Sequence, residues 1–181
     1  MTSGHIMMAM SLDGFVARSD HTLDWLNKQP TEGENHGFEA FLESVDVIVM
    51  GSGSFRTILG FAGWPYTKPV IVLSQSMNDA DIPEHLKDKV EISSESPIEL
   101  IARLTELGHG RVYVDGGAII RSFLTLDFVK SMKITIVPIL IGDGIRMFGE
   151  LDRDIDLSLE KVEPFSSGLV TLTYRLPEEP G

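Results

Sequence analysis

Arg111-Val112-Tyr113-Val114-Asp115-Gly116-Gly117-Ala118 is the stretch on which the reading of this chain turns. Arg111 to Val114 has the composition of a buried strand, Asp115-Gly116-Gly117 is a turn, and residues 118–124 continue as a helix. A strand that passes through glycine straight into a helix belongs to an α/β sheet. The first N–H groups of such a helix lack intrahelical partners, and glycine lets an anion come close to the backbone. On its own, a Gly-Gly turn is more often a tight connection than a binding site.

The same pattern recurs on either side. Residues 45–50 form an apolar run broken only by Asp46, and Gly51-Ser52-Gly53-Ser54 follows it, with a short helix over 55–59. Residues 69–73 read as a strand ending at Ser74-Gln75-Ser76, and residues 90–92 as a weaker one. Ser96-Pro97 opens a helix with proline in its first position, and Ile98, Ile101, Leu104 and Leu107 are its expected buried face. Near the start, residues 6–11 form a buried strand that stops at Asp13-Gly14. Phe38, Phe41, Leu42 and Val45 predict a helix over about 36–44. Between them lies a polar excursion, residues 18–37, interrupted by Leu23, Trp25 and Leu26. Its length suits a functional lid and an ordinary surface loop equally.

After residue 130 the pattern changes. Residues 132–141 are β-rich, with Pro138 marking an edge or a bulge. Residues 157–163 and 169–176 alternate like an antiparallel hairpin around Ser166-Ser167-Gly168. The expected fold is therefore α/β: a mixed, mostly parallel sheet with helices on both faces and an antiparallel C-terminal hairpin. One domain is expected over residues 1–181.

Three strands ending in small-residue turns place a ligand at one sheet edge, outside the carboxyl ends of the strands. Two of those turns lead into helices, which points to a phosphate-bearing ligand. The common fingerprints are absent: there is no P-loop, and Gly51-Ser52-Gly53-Ser54-Phe55-Arg56 has arginine where a Rossmann motif needs its last glycine. No Gly-x-Ser-x-Gly elbow is present. The five histidines make no metal-ligand spacing, so no metal is expected and most of them are expected at the surface. The chain has no cysteine, which excludes a thiol nucleophile and suits a reducing cytoplasm. A net charge of −12 disfavours nucleic acid. No apolar run reaches membrane-spanning length.

Several short motifs, in order along residues 5–176, together resemble a known family. They are Met10-Ser11-Leu12-Asp13-Gly14-Phe15-Val16-Ala17, Val49-Met50-Gly51 with Ser54 and Phe55, Gly63-Trp64-Pro65-Tyr66, Val114 to Ala118, and Val137-Pro138 through Gly144 with Met147-Phe148. The sequence resembles the reductase-like proteins related to the C-terminal domain of the riboflavin-biosynthesis deaminase/reductase, which share the dihydrofolate reductase fold. The resemblance implies a cytoplasmic homodimer and an NADPH-dependent reductase acting on a small molecule.

By that resemblance, Ala9 and Val16 flank the nicotinamide. Gly51, Ser52, Gly53, Ser54 and Phe55 surround the adenosine phosphates, and Leu73, Ser74 and Gln75 lie beside adenine and ribose. Gly116, Gly117, Ala118 and Ile119 form the pyrophosphate turn. Many relatives carry Arg or Lys directly after the glycine matching Gly51, where it holds the cofactor 2′-phosphate. Here Ser52 stands there, with Arg56 one helical turn on as a substitute or as a solvent-facing residue, so NADH is not excluded. The carboxylate that dihydrofolate reductases place on their first helix falls at Asn35, with Glu34 and Glu39 nearby. Asp13 is the candidate polar group near the nicotinamide, or simply a turn-former. Asp13 and Glu39 are thus the candidate catalytic residues, and Trp25, Phe41 and Pro138 the candidate substrate pocket. The leading function is hydride transfer to a small heterocyclic or carbonyl/imine substrate. Weak dihydrofolate reductase activity, or nucleotide binding without turnover, are the other readings.

Overall fold

The computed structural model describes residues 1–177; residues 178–181, the end of the expected domain, lie outside the described residues. The central sheet has eight strands. In chain order these are β1 (Ser3–Ser11), β3 (Val47–Gly51), β4 (Val70–Leu73), β5 (Val90–Ser93), β6 (Arg111–Asp115), β7 (Val129–Val137), β9 (Ser158–Pro164) and β10 (Val170–Arg175). They lie in the order β5-β4-β3-β6-β1-β7-β10-β9. The six strands from β5 to β7 are parallel, and β10 and β9 close the sheet as an antiparallel hairpin. Two short strands, β2 (Phe15–Ala17) and β8 (Ile145–Arg146), pair with each other as a separate ribbon.

The inner strands are continuous apolar runs because both faces are covered. Along β3, Val47 and Val49 point to one core and Ile48 and Met50 to the other, as the period of two requires. The first core is roofed by α4 (Pro97–Glu106) and α5 (Gly117–Thr125), through Leu100, Leu104, Ile120 and Phe123. The second is covered by α2 (Phe38–Glu43) and α3 (Ser52–Leu59), through Leu42, Phe55 and Ile58. The four-residue α1 (Asp24–Asn27) lies in the long excursion. Among the described residues no helix is long and apolar enough to cross a membrane.

Three expectations need correction, and one histidine departs from the surface location expected for most of them. The buried face of α4 is Leu100 and Leu104, while Ile98 and Leu107 are 64% and 62% exposed. Leu107 is the C-cap rather than a helical residue, and the i, i+4 pair at 100 and 104 is what meets the sheet. β7 stops at Val137, so Pro138 follows the strand instead of kinking it, and its side chain is exposed. Helix α2 begins only at Phe38, because Gly37 takes a left-handed φ of 80° that no helical residue adopts. His36 is thereby left outside the helix. Finally, His5 is buried within β1, where its Nδ1 lies 2.7 Å from Ser131 Oγ. Burial, then the Arg111 charge, lowers its pKa to about 4.

Candidate active site

Strands β3 and β6 are neighbours, and both run directly into helices. Their carboxyl ends therefore bring the starts of α3 and α5 side by side, with Gly51 under the Ile119 side chain. Neither helix has a side-chain cap at its N-terminus. Ser54 on α3 leans onto the second turn: a Cβ on Gly116 would sit 2.5 Å from its hydroxyl. Gly116 itself has φ 91°, which favours glycine. Gly117 is needed for a different reason, since a Cβ there would lie 2.4 Å from the Arg146 carbonyl oxygen in β8.

A cavity of about 640 Å³ opens at these two helix starts. Gly51, Gly53, Ser54, Gly116, Gly117, Ala118 and Ile119 form one end of its wall, and Ala9 and Val16 lie on it as well. The expected nicotinamide and phosphate residues are thus brought to one cavity. Ser52 is not on the wall, Phe55 is buried in the core behind it, and Leu73 is likewise a core residue. Ser74 and Gln75 follow β4, one strand further out, where Gln75 Nε2 donates to the Ser94 carbonyl at 2.8 Å. Arg56 is exposed and away from the wall. The imidazole nearest the α3 start is that of His21, 3.1 Å from where a Gly53 Cβ would stand.

The residues singled out for catalysis and substrate do not meet there. Glu39 is exposed on α2. Asp13 faces the 138–144 loop, where its carboxylate accepts from the Ile141 and Gly142 N–H groups. The Ser11 hydroxyl and those N–H groups hold it below the usual carboxylate range. Asp13 is thus a clamp between two loops. Trp25 is fully buried with Val137 and Leu169, anchoring the excursion from behind. Phe41 packs edge-on against Tyr113, at 5.0 Å between ring centres.

The structure adds residues that the sequence did not mark. The excursion is one wall of the cavity, contributing His21, Leu23, Leu26, Asn27, Thr31 and His36. Tyr66, Tyr113 and Asp115 line it as well. Tyr113 and Asp115 share a face of β6, two residues apart, and the Tyr113 hydroxyl donates to the Met7 carbonyl at 2.9 Å. Asp115 is 6% exposed. Burial raises its pKa to about 6, against the pull of the Gly116 N–H, the Tyr113 hydroxyl and the Ser54 hydroxyl. Burial, then the Asp115 charge, pushes both phenols above their ordinary range, so neither ionises near neutrality. Thr135, opposite Ala9 in the sheet, is buried with its hydroxyl 2.8 Å from that of Thr171.

The chemistry of this arrangement suits a long, two-ended ligand. Free helix N–H groups and glycine backbone at one end favour phosphate, while the mostly apolar walls beyond limit the access of water. Among the described residues no group of three or more His, Asp and Glu side chains gathers as a metal site.

Comparison with known proteins agrees with this geometry. The pattern of the RibD C-terminal domain family matches residues 4–171, and the chain belongs to that family. A solved protein of Shewanella sp. PV-4, named for riboflavin biosynthesis, is 36% identical, with a TM-score of 0.90 over 98% of this chain and 100% of that one. The uncharacterized protein YwjB of Bacillus subtilis is 27% identical over 166 residues, 91% of this chain and 92% of its own. The dihydrofolate reductase of Enterococcus faecalis, solved with NADP(H), is 15% identical with a TM-score of 0.66, covering 97% of each chain. The fold is dihydrofolate reductase-like.

Proposed function

We propose that this RibD C-terminal domain protein is a reductase that takes NADPH and a small heterocyclic, carbonyl or imine substrate. The observation that carries the reading is the convergence of two uncapped helix starts, α3 and α5, on a cavity whose remaining walls are mostly apolar. A reduced nicotinamide, when bound, supplies a hydride, and hydride transfer asks chiefly for contact and dryness. The chain's own residues supply both. The glycines at 51, 53, 116 and 117 admit the phosphates, Ala9 and Val16 leave room for a flat ring, and Leu23, Leu26 and Leu169 keep water away.

Dihydrofolate is disfavoured as the substrate. The side chain of Asn35 is committed to its own turn, accepting from the Gly37 N–H at 2.8 Å. Glu34 is committed to the C-terminal hairpin.

Titration with NADPH and with NADH tests the reading. Trp64 is a built-in reporter, edge-on to Tyr66 at 5.4 Å, and Tyr66 lines the cavity. A saturable fluorescence change is expected, with NADPH the tighter ligand. If neither nucleotide binds, the reductase reading is wrong.

A further inference from the structure

A carbonyl or imine that accepts a hydride must also gain a proton. Neither Asp13 nor Glu39 reaches the cavity, so the donor has to be sought among the groups that do. Asp115 lies beside the phosphate-binding glycines, at the wrong end. His36 lies at the other end. Its ring is 4.2 Å from that of Phe165, which packs with Ala9, Leu26 and Leu169 in the small cluster under the excursion. The imidazole therefore stands beyond the Ala9 end of the groove, where a substrate would follow the nicotinamide.

The position is built rather than incidental. Gly37, in its left-handed conformation, turns the chain sharply into α2 and leaves His36 on the cavity wall. Its Nε2 is 3.3 Å from Glu34 Oε2, with the two side chains 23% and 9% exposed. Glu34 in turn is fixed by the hairpin turn 132 residues away: it accepts from the Ser166 hydroxyl (2.8 Å), the Ser167 N–H (2.8 Å) and the Ser167 hydroxyl (2.7 Å). Those bonds, the Ser167 hydroxyl foremost, hold its carboxyl below the usual range, so it faces His36 as an anion. Both ring nitrogens of His36 are buried, and neither makes a hydrogen bond among the described residues. With Nε2 turned to Glu34, Nδ1 is the ring nitrogen without a protein partner, on a side chain that lines the cavity.

We propose that His36 is the catalytic acid of this site, oriented by Glu34 as a positioning residue, and that the substrate is a planar heterocycle presenting a carbonyl or imine to it. The assignment rests on the reductase reading above. As a hydride from the reduced nicotinamide forms the new C–H bond, the π pair of C=O or C=N moves to the heteroatom. The imidazolium proton passes to that atom, leaving an alcohol or amine and a neutral imidazole that solvent reprotonates. The nicotinamide is oxidised and the substrate is reduced by the same two electrons. Imidazole is a side chain suited to giving and regaining such a proton.

Two flat bicyclic probes of similar size test the proposal with NADPH. Isatin, a ketone, needs a proton on reduction; N-methyl-dihydroisoquinolinium, already a cation, needs none. His36→Gln is expected to lower kcat on isatin by roughly 100-fold or more while changing the iminium rate by less than about threefold. Glu34→Gln should shift the ratio of the two rates in the same direction by a smaller factor, an effect that simple loosening of the hairpin would not give. Equal losses on both probes, or no loss on isatin, overturn the proposal. If the parent protein reduces neither probe, binding decides. The His36 ring resonances, assigned by comparison with His36→Gln, should move on addition of isatin; unmoved resonances overturn it. Nucleotide titration is read separately: failure to bind NADPH overturns the reductase reading and this assignment with it, whereas NADPH binding with equal losses on both probes overturns the assignment alone.

Discussion

Helices α4 and α5 both begin at the edge of the same sheet and cover the same core, yet their first turns are finished in opposite ways. At α4, Ser96 and Glu99 form a reciprocal capping box: the Ser96 hydroxyl accepts from the Glu99 N–H and the Glu99 carboxylate accepts from the Ser96 N–H at 2.8 Å. Pro97 removes one further donor. Every means of satisfying the helix start locally is used there. At α5 none is used. Its N-cap is Gly116, no side chain closes the turn, and the free N–H groups look into the cavity. α3 repeats the open form at Gly51. α1 and α2 also lack a side-chain cap, so what sets α3 and α5 apart is that their open starts meet on the cavity, where an external partner would complete them.

The contrast can be broken at the open end. Gly117→Ala places a Cβ against the Arg146 carbonyl oxygen, and a backbone atom cannot step aside as a side chain would. A loss of about 3 kcal/mol in unfolding free energy is expected, together with a roughly tenfold weaker NADPH affinity. Retained stability and affinity in a denaturation and titration series would show that the two turns are not held together as described.

Next in size is Asp115, the buried carboxyl at the same turn. Its pKa is about 6 in the fold against 3.8 ordinarily, so between those values the folded state holds the proton more tightly than the unfolded state does. Stability therefore falls as pH rises from about 4 to about 6, and the loss persists above that window. Asp115→Asn should remove this fall and stabilise the protein at neutral pH by on the order of 2 kcal/mol. A bound phosphate would favour the protonated carboxyl and raise its pKa further, so nucleotide affinity should weaken as pH rises above about 6, and less so in Asp115→Asn. Parallel pH profiles for parent and variant would contradict the assignment.

The smallest effect belongs to the closed end. Ser96→Ala should cost about 1 kcal/mol of stability and leave nucleotide binding unchanged, because that helix start serves only itself. A change in NADPH affinity would erase the distinction between the two helices.

Local features are legible in the amino-acid sequence. The strand–glycine–helix units at 51 and 116 stand out because turn chemistry and helix starts are short-range, and Ala9 and Val16 follow from the family resemblance. Residues that act through long-range contacts are hidden. Tyr113 and Asp115 are open to recognition, since an i, i+2 pair on a strand shares one face. The role of Glu34 depends on Ser166 and Ser167, and no local pattern signals a pairing across the whole chain. Trp25 reads as a pocket residue because large aromatics serve equally as lining and as anchor; only its complete burial decides between them. The α4 face misleads for a simpler reason. Two apolar stripes compete, and the sheet takes the one through Leu100.

The β2–β8 ribbon unites the two halves of the site. β2 carries Val16 to the Ala9 end, while β8 lies against Gly117 at the phosphate end. Asp13 grips the loop before β8, and Gly14 O accepts from the Met147 N–H at 3.0 Å just after it. The ribbon is thus a shared ceiling beam, and no ligand can raise one end of it without tilting the other. A substitution meant to widen the cavity is therefore better placed on the 18–37 wall, at Leu23, Leu26 or Thr31, than on the ribbon.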